Sequence, residues 1–350
     1  MPKWYEEQSK QSDVVISSRI QLARNFAKYP FSPKLTLEQA ELLCEEIHNH
    51  LDEKKTKLEE IVGKYYYYNV TKASDIEKEA LVERHIITKK LAEKKQHASV
   101  VMTEDENVSL MLNEDDHIRI QVISSGMNLL SLLEKANAID DLISETLQYA
   151  YDDKLGYLTS SPANVGTGLR ASIMVYLPAL GTSGKMEKLI DEVSKQGVSI
   201  RGVYGEGNKS IAYIYQISNL QTIGMSESDI IQNLITIVDQ IIKQERSRRE
   251  YLLDSNFDKF EDQVYRSYGV LRYAKQISTA DAMTLLAQIK FGYDSKIIAS
   301  EEIPSFYKLM MAIQPANLQR ILGTNAGTKE REKARAKFLN ESLPELIHLQ

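Results

Sequence analysis

Two kinds of hydrophobic pattern occupy the chain up to about residue 255. Apolar residues at helical spacing predict amphipathic helices over residues 36–52, 76–91, 127–149 and 185–196. A longer helix begins after Ser226, which forms a weak capping box with Asp229. Short runs rich in branched and aromatic residues predict strands over residues 62–70, 99–102, 108–112, 117–122, 171–177, 198–204 and 211–218. The short spacing between residues 99 and 122 favours an antiparallel meander, and a turn at 205–208 pairs the last two strands.

Beyond about residue 255 the strand signals stop and only helical patterns continue. They predict helices over residues 259–275, 278–291, 305–314, 315–321 and 328–346. We therefore predict a domain boundary near residues 253–257. Residues 1–254 are expected to form a mixed domain around an antiparallel sheet, and residues 255–350 an all-helical domain. The predicted fold class is α+β.

Composition narrows the classes of function. The chain has 350 residues, of which 43% are hydrophobic and 26% charged, as is usual for soluble globular proteins. Its net charge of −6 argues against general nucleic-acid binding, which depends on positive charge. No segment approaches the roughly 20 apolar residues that span a bilayer, and the polar N-terminus lacks a signal-peptide core. We expect a cytoplasmic protein without membrane or direct nucleic-acid contacts.

Cysteine and histidine positions argue against a metal centre. Cys44 is the only cysteine, so an internal disulfide and a CxxC motif are both excluded. The six histidines lack metal-ligand spacing, apart from His48 and His50 on a predicted helix surface. We predict no metal site built from protein side chains.

Separated arginines and an acidic cluster supply the candidate chemistry. Arg19, Arg119, Arg170 and Arg201 lie in different segments, and guanidinium groups pair bidentately with phosphate oxygens. Residues 114–116 place three carboxylates at the end of a predicted strand, where such groups hold a guanidinium and accept its proton. Each feature alone is also typical of an ordinary surface arginine or an acidic turn. If the strand continues through 114–116, alternation allows at most two of the three carboxylates to line one site.

Glycines and histidines add weaker signals. Gly166 and Gly168 precede Arg170, and glycines allow backbone amides to approach a phosphate closely, although no Walker motif follows. His85 is a candidate nucleotide contact and His117 a candidate partner of a carboxylate. For each histidine a purely structural role is the alternative.

Four segments carry a resemblance to a known family. They are Ser-Ser-Arg at 17–19, Asn-Glu-Asp-Asp-His-Ile-Arg at 113–119, Asn-Val-Gly-Thr-Gly-Leu-Arg at 164–170 and Arg-Gly-Val-Tyr-Gly-Glu-Gly at 201–207. In this order they resemble the phosphagen (guanidino) kinase superfamily of ATP:guanido phosphotransferases. Residues 170–174, 201–207 and 261–271 are similar to one branch, the bacterial protein arginine kinases. The resemblance covers residues 13–339 and implies a guanidino-kinase-like catalytic domain, with a short N-terminal helical part over about residues 1–95.

The resemblance implies transfer of the γ-phosphoryl group of ATP, used with Mg²⁺, to arginine side chains of proteins. It implies catalytic roles for Glu114, Asp115, Arg119, Arg170 and Arg201. The nucleotide contacts that it implies are Ser17, Ser18, Arg19, Ile20, Gln21, His85, Arg119, Arg170, Ala171, Ser172, Ile173, Met174, Arg201, Gly202, Val203, Tyr204, Gly205 and Glu206.

The C-terminal part resembles the same branch at a second place. The family's R-D-x-x-R-A motif forms a phosphoarginine-binding pocket with an allosteric role, and the matching residues here are Arg331, Glu332, Arg335 and Ala336. The alternative is a charged, solvated helix face, because Arg331 and Arg335 are i, i+4 neighbours. The resemblance also implies a homodimer, and as partners a zinc-binding activator, a stress repressor and a Clp unfoldase.

The chain departs from the family pattern at several positions. Gln21 replaces a second arginine of the phosphate clamp. Asp115 stands where the family has a glutamate, and Glu332 stands where it has an aspartate. Ser161 replaces a cysteine, and Ala163 replaces a serine or threonine. Two alternatives to a protein arginine kinase therefore stay open. One is a catalytically weakened, phosphoarginine-binding adaptor or regulatory paralogue, and the other is a kinase of free guanidino amino acids.

Overall fold

The structure is a computed structural model that describes residues 2–7, 9–204, 210–323 and 326–347. Its strands are β1 Val15–Arg24, β2 Tyr65–Asn69, β3 Ser99–Thr103, β4 Val108–Leu112, β5 Ile118–Ser125, β6 Tyr151–Asp152, β7 Gly156–Tyr157, β8 Leu169–Tyr176, β9 Val198–Gly202 and β10 Ile214–Asn219. Its α-helices are α1 Leu37–Glu53, α2 Lys55–Val62, α3 Asp75–Glu83, α4 Lys89–Ala92, α5 Leu129–Ser144, α6 Pro178–Thr182, α7 Met186–Ser194, α8 Glu227–Tyr273, α9 Thr279–Asp294, α10 Phe306–Ala312, α11 Pro315–Leu322 and α12 Thr328–Ser342. The predicted α+β class, with an antiparallel sheet and a helical C-terminal region, is confirmed.

The chain packs into two compact units, and each unit is built from three separate segments of the sequence. The first comprises Met1–Trp4, Ser17–Ile173 and Ser218–Thr236, and the second comprises Tyr5–Ile16, Met174–Ile217 and Ile237–Gln350. Helix α8 is interrupted at Asn256, whose backbone is not helical (φ −149°, ψ 37°), within the segment where the sequence predicts a domain boundary. The assignment of domains to residues 1–254 and 255–350 stays a prediction.

In the first unit the strands follow the order β2-β3-β4-β5-β1-β8. The pairs β2–β3, β3–β4, β4–β5 and β1–β5 are antiparallel, so the predicted meander over residues 99–122 is confirmed. The register of β1 against β5 places Gln21 opposite Gln121 and Ala23 opposite Arg119. This pairing joins segments that lie about a hundred positions apart in the chain, and it decides which side chains share a face.

Alternation along β1 and β5 separates an apolar face from a polar face. Ile20 and Leu22 on β1, with Ile118 and Ile120 on β5, are fully buried in the core. Side chains that alternate with these residues point to the other face of the sheet. They are Arg19 and Gln21 on β1 and Arg119 and Gln121 on β5. The apolar face fixes the register, because a slip of one residue would bring the arginines into the core.

Most predicted helices of this unit are present, and one is divided. Thr36 caps α1 in a capping box with Gln39. Ser226 caps α8 together with Asp229, as the sequence predicts. The single helix predicted over residues 76–91 is wrong: α3 ends at Glu83 and α4 begins at Lys89. Between them His85 adopts a left-handed conformation (φ 60°), which a continuous helix excludes.

The predicted strand at 62–70 is shorter than expected. Residues up to Val62 belong to α2, which the sequence analysis did not predict. Gly63 follows in a conformation with φ 81°, which ends the helix and lets β2 begin at Tyr65.

The end of β8 from Met174, the start of β10 up to Ile217, and β9 belong to the second unit, and these strands are neighbours in the order β8-β10-β9. The predicted turn at 205–208 lies outside the described residues. Charged groups tie distant segments of this unit together. Arg246 binds the Asp13 carboxylate at 2.7 Å, and the buried Glu245 accepts the backbone N–H groups of Ala179 and Leu180 at 3.0 and 2.9 Å. Within the described residues, no helix has the length and apolar character that crossing a membrane would require.

Candidate active site

Three of the four predicted arginines lie on one face of the first-unit sheet. Arg19 and Arg119 share the polar face of β1 and β5. Arg19 donates from Nε to the Ser172 hydroxyl on β8 at 3.3 Å. Arg170 precedes Ser172 by two positions on the same strand and therefore points to the same face. Arg201 lies on β9 in the second unit, where its side chain is exposed.

Glu114 lies at the edge of this face and is held by three donors. Arg119 donates from a terminal nitrogen to Oε2 at 2.6 Å, and the backbone N–H of Asp115 donates to the same oxygen at 3.1 Å. The Thr88 hydroxyl donates to Oε1 at 2.5 Å. The Glu114 side chain is 1% exposed. The site therefore presents one fixed, buried carboxylate beside a row of guanidinium groups.

The acidic segment is a tight turn and does not continue as a strand. Asn113 has φ 58°, and its N–H donates to the carbonyl of His117 at 2.8 Å, which closes the turn between β4 and β5. Asp115 is partly exposed and pairs with Lys90 at 2.5 Å. Asp116 is fully buried and accepts from the Asn25 amide at 2.8 Å and from the Ser160 N–H at 2.7 Å. The three carboxylates thus have different partners, and Asp116 serves to hold the segment at 158–160.

His85 lies near Arg19 in an unusual backbone conformation. Its carbonyl accepts from the Gln121 amide at 2.8 Å, and its ring lies 6.3 Å from the ring of the buried Trp4. Burial, with a smaller contribution from the Arg19 guanidinium, lowers the pKa of His85 to about 3. The imidazole is therefore neutral at physiological pH.

His117 has a structural role, which confirms that alternative. Its Nδ1 accepts from the N–H of Phe26 at 2.9 Å, and its Nε2 lies 2.8 Å from the carbonyl of Pro30. Nε2 therefore carries the proton, and burial lowers the pKa of His117.

Gln21 replaces the second arginine of the family pattern, and the structure shows what it contacts. Its side chain is buried and donates to the Gln121 amide oxygen at 2.8 Å. The Gln121 amide nitrogen in turn donates to the Ser109 hydroxyl at 3.0 Å and to the carbonyl of His85. A buried amide pair therefore takes the place of a positive charge and connects β1 to the His85 turn.

Several residues that are predicted to contact the nucleotide already form hydrogen bonds within the protein or are buried. The Ser18 hydroxyl donates to the Gly126 carbonyl at 2.6 Å and accepts from the N–H of Asn128 at 3.0 Å. The N–H of Ala171 donates to the Asn219 side chain at 2.8 Å. The side chains of four further members of the list are buried, namely Ser17, Ile20, Ser172 and Ile173.

The remaining described members of that list lie in the second unit. Met174 is the first residue of its middle segment. Gly202 ends β9, the N–H of Val203 donates to the carbonyl of Ile214 at 2.9 Å, and the hydroxyl of Tyr204 lies 3.2 Å from that of Tyr307. Gly205 and Glu206 lie outside the described residues.

The glycines before Arg170 serve backbone packing. A Cβ on Gly166 (φ 112°) would lie 2.3 Å from the carbonyl oxygen of Thr222, and one on Gly168 (φ 66°) would lie 2.6 Å from that of Ala23. The N–H of Thr167 donates to Thr222 at 3.0 Å and that of Gly166 to Tyr157 at 3.3 Å. Because these amides already have partners within the chain, close chain contacts explain the glycines without a phosphate.

The C-terminal motif is not a solvated face. Arg335 is 2% exposed and donates to the carbonyls of Ile313 and Ile277, each at 3.0 Å, so the solvated alternative is wrong for this residue. Arg331 donates to the carbonyl of Ala326 at 2.8 Å, and Glu332 accepts from Gln276 at 2.6 Å. Ala336 is buried beside them.

A cleft of about 620 Å³ in the second unit includes Glu332 in its lining. Its other lining residues are Val270, Gln276, Ile277, Ser278, Asp281, Thr284 and Leu285. Asp281 and Glu332 give this cleft an acidic character, which is unfavourable for an anionic phosphoryl group.

Thr88, Gln121 and Trp4 contact the site residues, and the sequence analysis missed them. Thr88 alone had a local signal, since threonine is a favoured residue before a helix. The partners of Gln121 and Trp4 depend on pairings between distant segments. Among the described residues, no group of three or more histidine, cysteine, aspartate or glutamate side chains could hold a metal ion.

Comparison with known protein families gives two matches that follow each other along the chain. Residues 46–248 match the ATP:guanido phosphotransferase C-terminal catalytic domain, and residues 257–349 match the protein-arginine kinase McsB C-terminal domain. Among solved structures, lombricine kinase aligns with a TM-score of 0.58 at 24% identity, over 69% of this chain and 68% of that chain, which shows the fold alone. A duplicated taurocyamine kinase from Schistosoma mansoni aligns with a TM-score of 0.58 at 26% identity, over 70% of this chain and 35% of that chain.

The sheet, its row of arginines and the held carboxylate, together with these matches, define an ATP-dependent guanidino phosphotransferase. The chain belongs to the ATP:guanido phosphotransferase family. Its relatives include the protein-arginine kinase of Clostridium kluyveri, 41% identical over 94% of each chain. That of Bacillus mycoides is 40% identical over 97% of this chain and 95% of its own, and that of Caldanaerobacter subterraneus subsp. tengcongensis is 42% identical over 95% and 97%.

Proposed function

We propose that this protein transfers the γ-phosphoryl group of Mg-ATP to arginine side chains of proteins. Relatives named protein-arginine kinase, which align over almost the whole chain, support the choice of acceptor. The observation that carries the chemistry is the placement of Glu114, 2.6 Å from Arg119, at the edge of a sheet face with three arginines. This arrangement suits an anionic phosphate and a cationic acceptor at one site.

The arrangement supports a direct transfer. The acceptor guanidinium is protonated at neutral pH and must lose a proton to become a nucleophile. That proton passes to the Glu114 carboxylate while the freed nitrogen lone pair forms a bond to the γ-phosphorus. The bond between the γ-phosphorus and the oxygen that bridges to the β-phosphate breaks, and ADP leaves with the electron pair. Preorganised guanidinium groups stabilise the charge that develops on the transferring group.

The phosphate contacts are proposed as follows. Arg19, Arg119 and Arg170 bind the phosphates from the sheet face, and the resemblance adds Arg201 as a further phosphate contact. Mg²⁺, when bound with the nucleotide, would supply further positive charge. Neutral His85 and the backbone near Ser172 contribute to nucleotide binding, with the segment from Gly202 to Glu206. The partly exposed Asp115 helps to position the acceptor.

Replacing Glu114 by glutamine tests the assignment directly. We expect Glu114→Gln to lower phosphoarginine formation by about 100-fold or more, the lower range for loss of a general base. The assay uses ATP, Mg²⁺ and an arginine-rich acceptor protein such as a histone, with phosphoarginine detected by mass spectrometry at non-acidic pH. Glu93→Gln is the matched control, because the Glu93 side chain is 63% exposed and pairs only with Lys89 among the contacts seen. Equal labelling by wild type and Glu114→Gln would show that Glu114 is not the base.

Two other functions are separable in the same assay. Free arginine offered in place of the protein acceptor tests a kinase of free guanidino amino acids. The buried amide pair of Gln21 and Gln121, at a position where the family carries an arginine, favours a weakened phosphate clamp and so a phosphoarginine-binding adaptor. An adaptor would bind a phosphoarginine peptide without turnover. The Arg331→Ala variant tests this binding, because Arg331 is the less buried arginine of the C-terminal motif.

Resemblance alone supports the wider setting that we propose. The chain would act in the cytoplasm as a homodimer, with a zinc-binding activator, a stress repressor and a Clp unfoldase as partners in a stress response. Two observations support separate catalytic and C-terminal domains over residues 1–254 and 255–350. One family match ends at residue 248 and the next begins at 257, and helix α8 is interrupted at Asn256.

A further inference from the structure

The two oxygens of the Glu114 carboxylate differ in how many donors they receive. Oε2 accepts from Arg119 at 2.6 Å and from the backbone N–H of Asp115 at 3.1 Å, which together account for its two lone pairs. Oε1 accepts from the Thr88 hydroxyl at 2.5 Å. Oε1 therefore keeps a lone pair beyond the one that Thr88 uses, whereas Oε2 has both lone pairs engaged.

Thr88 is itself fixed by the helix that it caps. Its Oγ1 accepts from the N–H of Leu91 at 3.2 Å in the first turn of α4. A hydroxyl has a single proton to donate, and with the Leu91 N–H bound to the oxygen that proton is directed towards Glu114. The hydroxyl group thus joins a helix N-terminus to the carboxylate, which leaves it little freedom to rotate.

Other contacts hold α4 and its flanks against the acidic turn. Lys94 donates to the backbone carbonyl of Glu114 at 2.7 Å, and Lys90 pairs with Asp115 at 2.5 Å. The main chain of Glu114 and the side chain of its neighbour are therefore anchored independently of Thr88. Consequently, removal of the Thr88 hydroxyl should leave Oε1 of Glu114 without its donor, while Oε2 and the main chain of the turn stay held.

We propose that Thr88 is a positioning residue that aims Glu114 so that Oε1 receives the acceptor guanidinium. This inference rests on the proposed function, because it concerns the same carboxylate. Neither the Thr88 methyl group nor its hydroxyl takes part in the transfer itself. Thr88 acts by holding one carboxylate oxygen in the direction from which the acceptor arrives.

The experiment compares three variants. Thr88→Val removes the hydroxyl at constant shape, and Thr88→Ser keeps a hydroxyl that both caps and donates. Thr36→Val is the matched control, because Thr36 also caps a helix, accepting from the N–H of Gln39 at 3.1 Å, and does not contact Glu114. Each variant is tested for kcat and KM towards ATP and an arginine-containing peptide, for equilibrium binding of that peptide, and for Tm.

We expect Thr88→Val to lower kcat by about 10- to 100-fold, the cost of misplacing a reacting group by about 1 Å. It should weaken peptide binding while the KM for ATP stays at the wild-type value, and Thr88→Ser should restore both. Thr36→Val should lower Tm as Thr88→Val does and leave kcat unchanged. If Thr88→Val does not fold, Thr88→Ala takes its place.

Several outcomes would overturn the proposal. They are an unchanged kcat in Thr88→Val, an equal loss in Thr36→Val, no restoration by serine, or an effect on the KM for ATP alone. If the wild type binds the peptide without phosphorylating it and Thr88→Val weakens that binding, the proposed function fails while the role of Thr88 stands. A wild-type protein that neither binds nor labels the peptide overturns both.

Discussion

Gln21 shows how one side chain affects several others at this site. Its amide donates to Gln121, and Gln121 donates to Ser109 and to the carbonyl of His85. The left-handed turn at His85 therefore depends on a hydrogen-bonded chain that starts on β1. An arginine at position 21 would add charge to the phosphate-binding face, but it could not accept or share hydrogen bonds as an amide does.

Gln21→Leu should be clearly destabilising. The change leaves the buried Gln121 amide oxygen without its donor, and a buried polar group without a partner costs about 1–3 kcal/mol of the free energy of unfolding. Chemical denaturation at neutral pH measures this cost. Gln232→Leu is the control, because Gln232 is an exposed residue of α8. A loss of equal size in both variants would count against the buried amide pair.

Candidate site residues stand out in the sequence where their chemistry is local. Glu114 and the arginines are such candidates, because a carboxylate and guanidinium groups suit a cationic acceptor and a phosphate. Thr88, Gln121 and Trp4 are not, because their importance comes from partners that folding brings together. Gln121 meets Gln21 across strands that are 100 positions apart, and no local pattern reports that pairing.

At the scale of the element, periodicity located most helices and strands but missed breaks caused by backbone conformation. The apolar spacing over 76–91 continues through a segment that the structure divides into α3 and α4. Arg84 caps α3, and the left-handed His85 is stabilised by tertiary hydrogen bonds that periodicity does not record. The strands at 99–122 were easier, because hairpin-linked strands pair with their sequence neighbours.

The packing of α9 against the second half of α8 predicts opposite effects for two helical glycines. A Cβ on Gly292 would lie 2.4 Å from Cγ1 of Val264, so Gly292→Ala should cost about 1–3 kcal/mol of the free energy of unfolding through overpacking. Gly269 has nothing within 4 Å of such a Cβ, so Gly269→Ala should stabilise by roughly 0.5–1 kcal/mol through helix propensity. Thermal unfolding of both variants checks the pair, and changes of the same sign would contradict this packing.

At the scale of the whole molecule, sequence patterns and packing divide the chain differently. The sequence predicts a boundary where strand signals stop, whereas packing joins residues 5–16 to the C-terminal helices. The Asp13 carboxylate binds Arg246, 233 positions away, and Lys290 donates to the carbonyl of Ser12 at 2.8 Å. Hydrophobic periodicity describes how one segment is buried, but it does not state which distant segment covers it.

Three buried or partly buried histidines make the stability of the molecule depend on pH. Burial lowers the pKa values of His50, His85 and His117, and the value for His85 is about 3. In the unfolded chain each histidine regains a pKa near 6.5 and binds a proton more readily. Stability from this source is therefore present above about pH 6.5 and is lost as the pH falls towards the folded-state pKa values.

The contribution of one histidine can be isolated with a variant. Burial raises the pKa values of Glu245 and Asp294, which act in the opposite direction, so wild type is compared with His117→Gln. The difference between their free energies of unfolding should shrink between pH 7 and pH 5, by at most about 1.4 kcal/mol per pH unit. His48→Gln, which changes a partly exposed histidine, is the reference. A difference that is constant or grows towards low pH would contradict the assignment.

The shared face of β1 and β5 also limits how this chain can change in length. Deleting or inserting a single residue within either strand would move Arg19, Arg119 and their amide neighbours into the core and expose Ile20 and Ile120 to solvent. The exposed turn at residues 153–155 between β6 and β7 carries no such constraint. Related chains that keep the row of arginines should therefore differ in length at such turns and match residue for residue along these two strands.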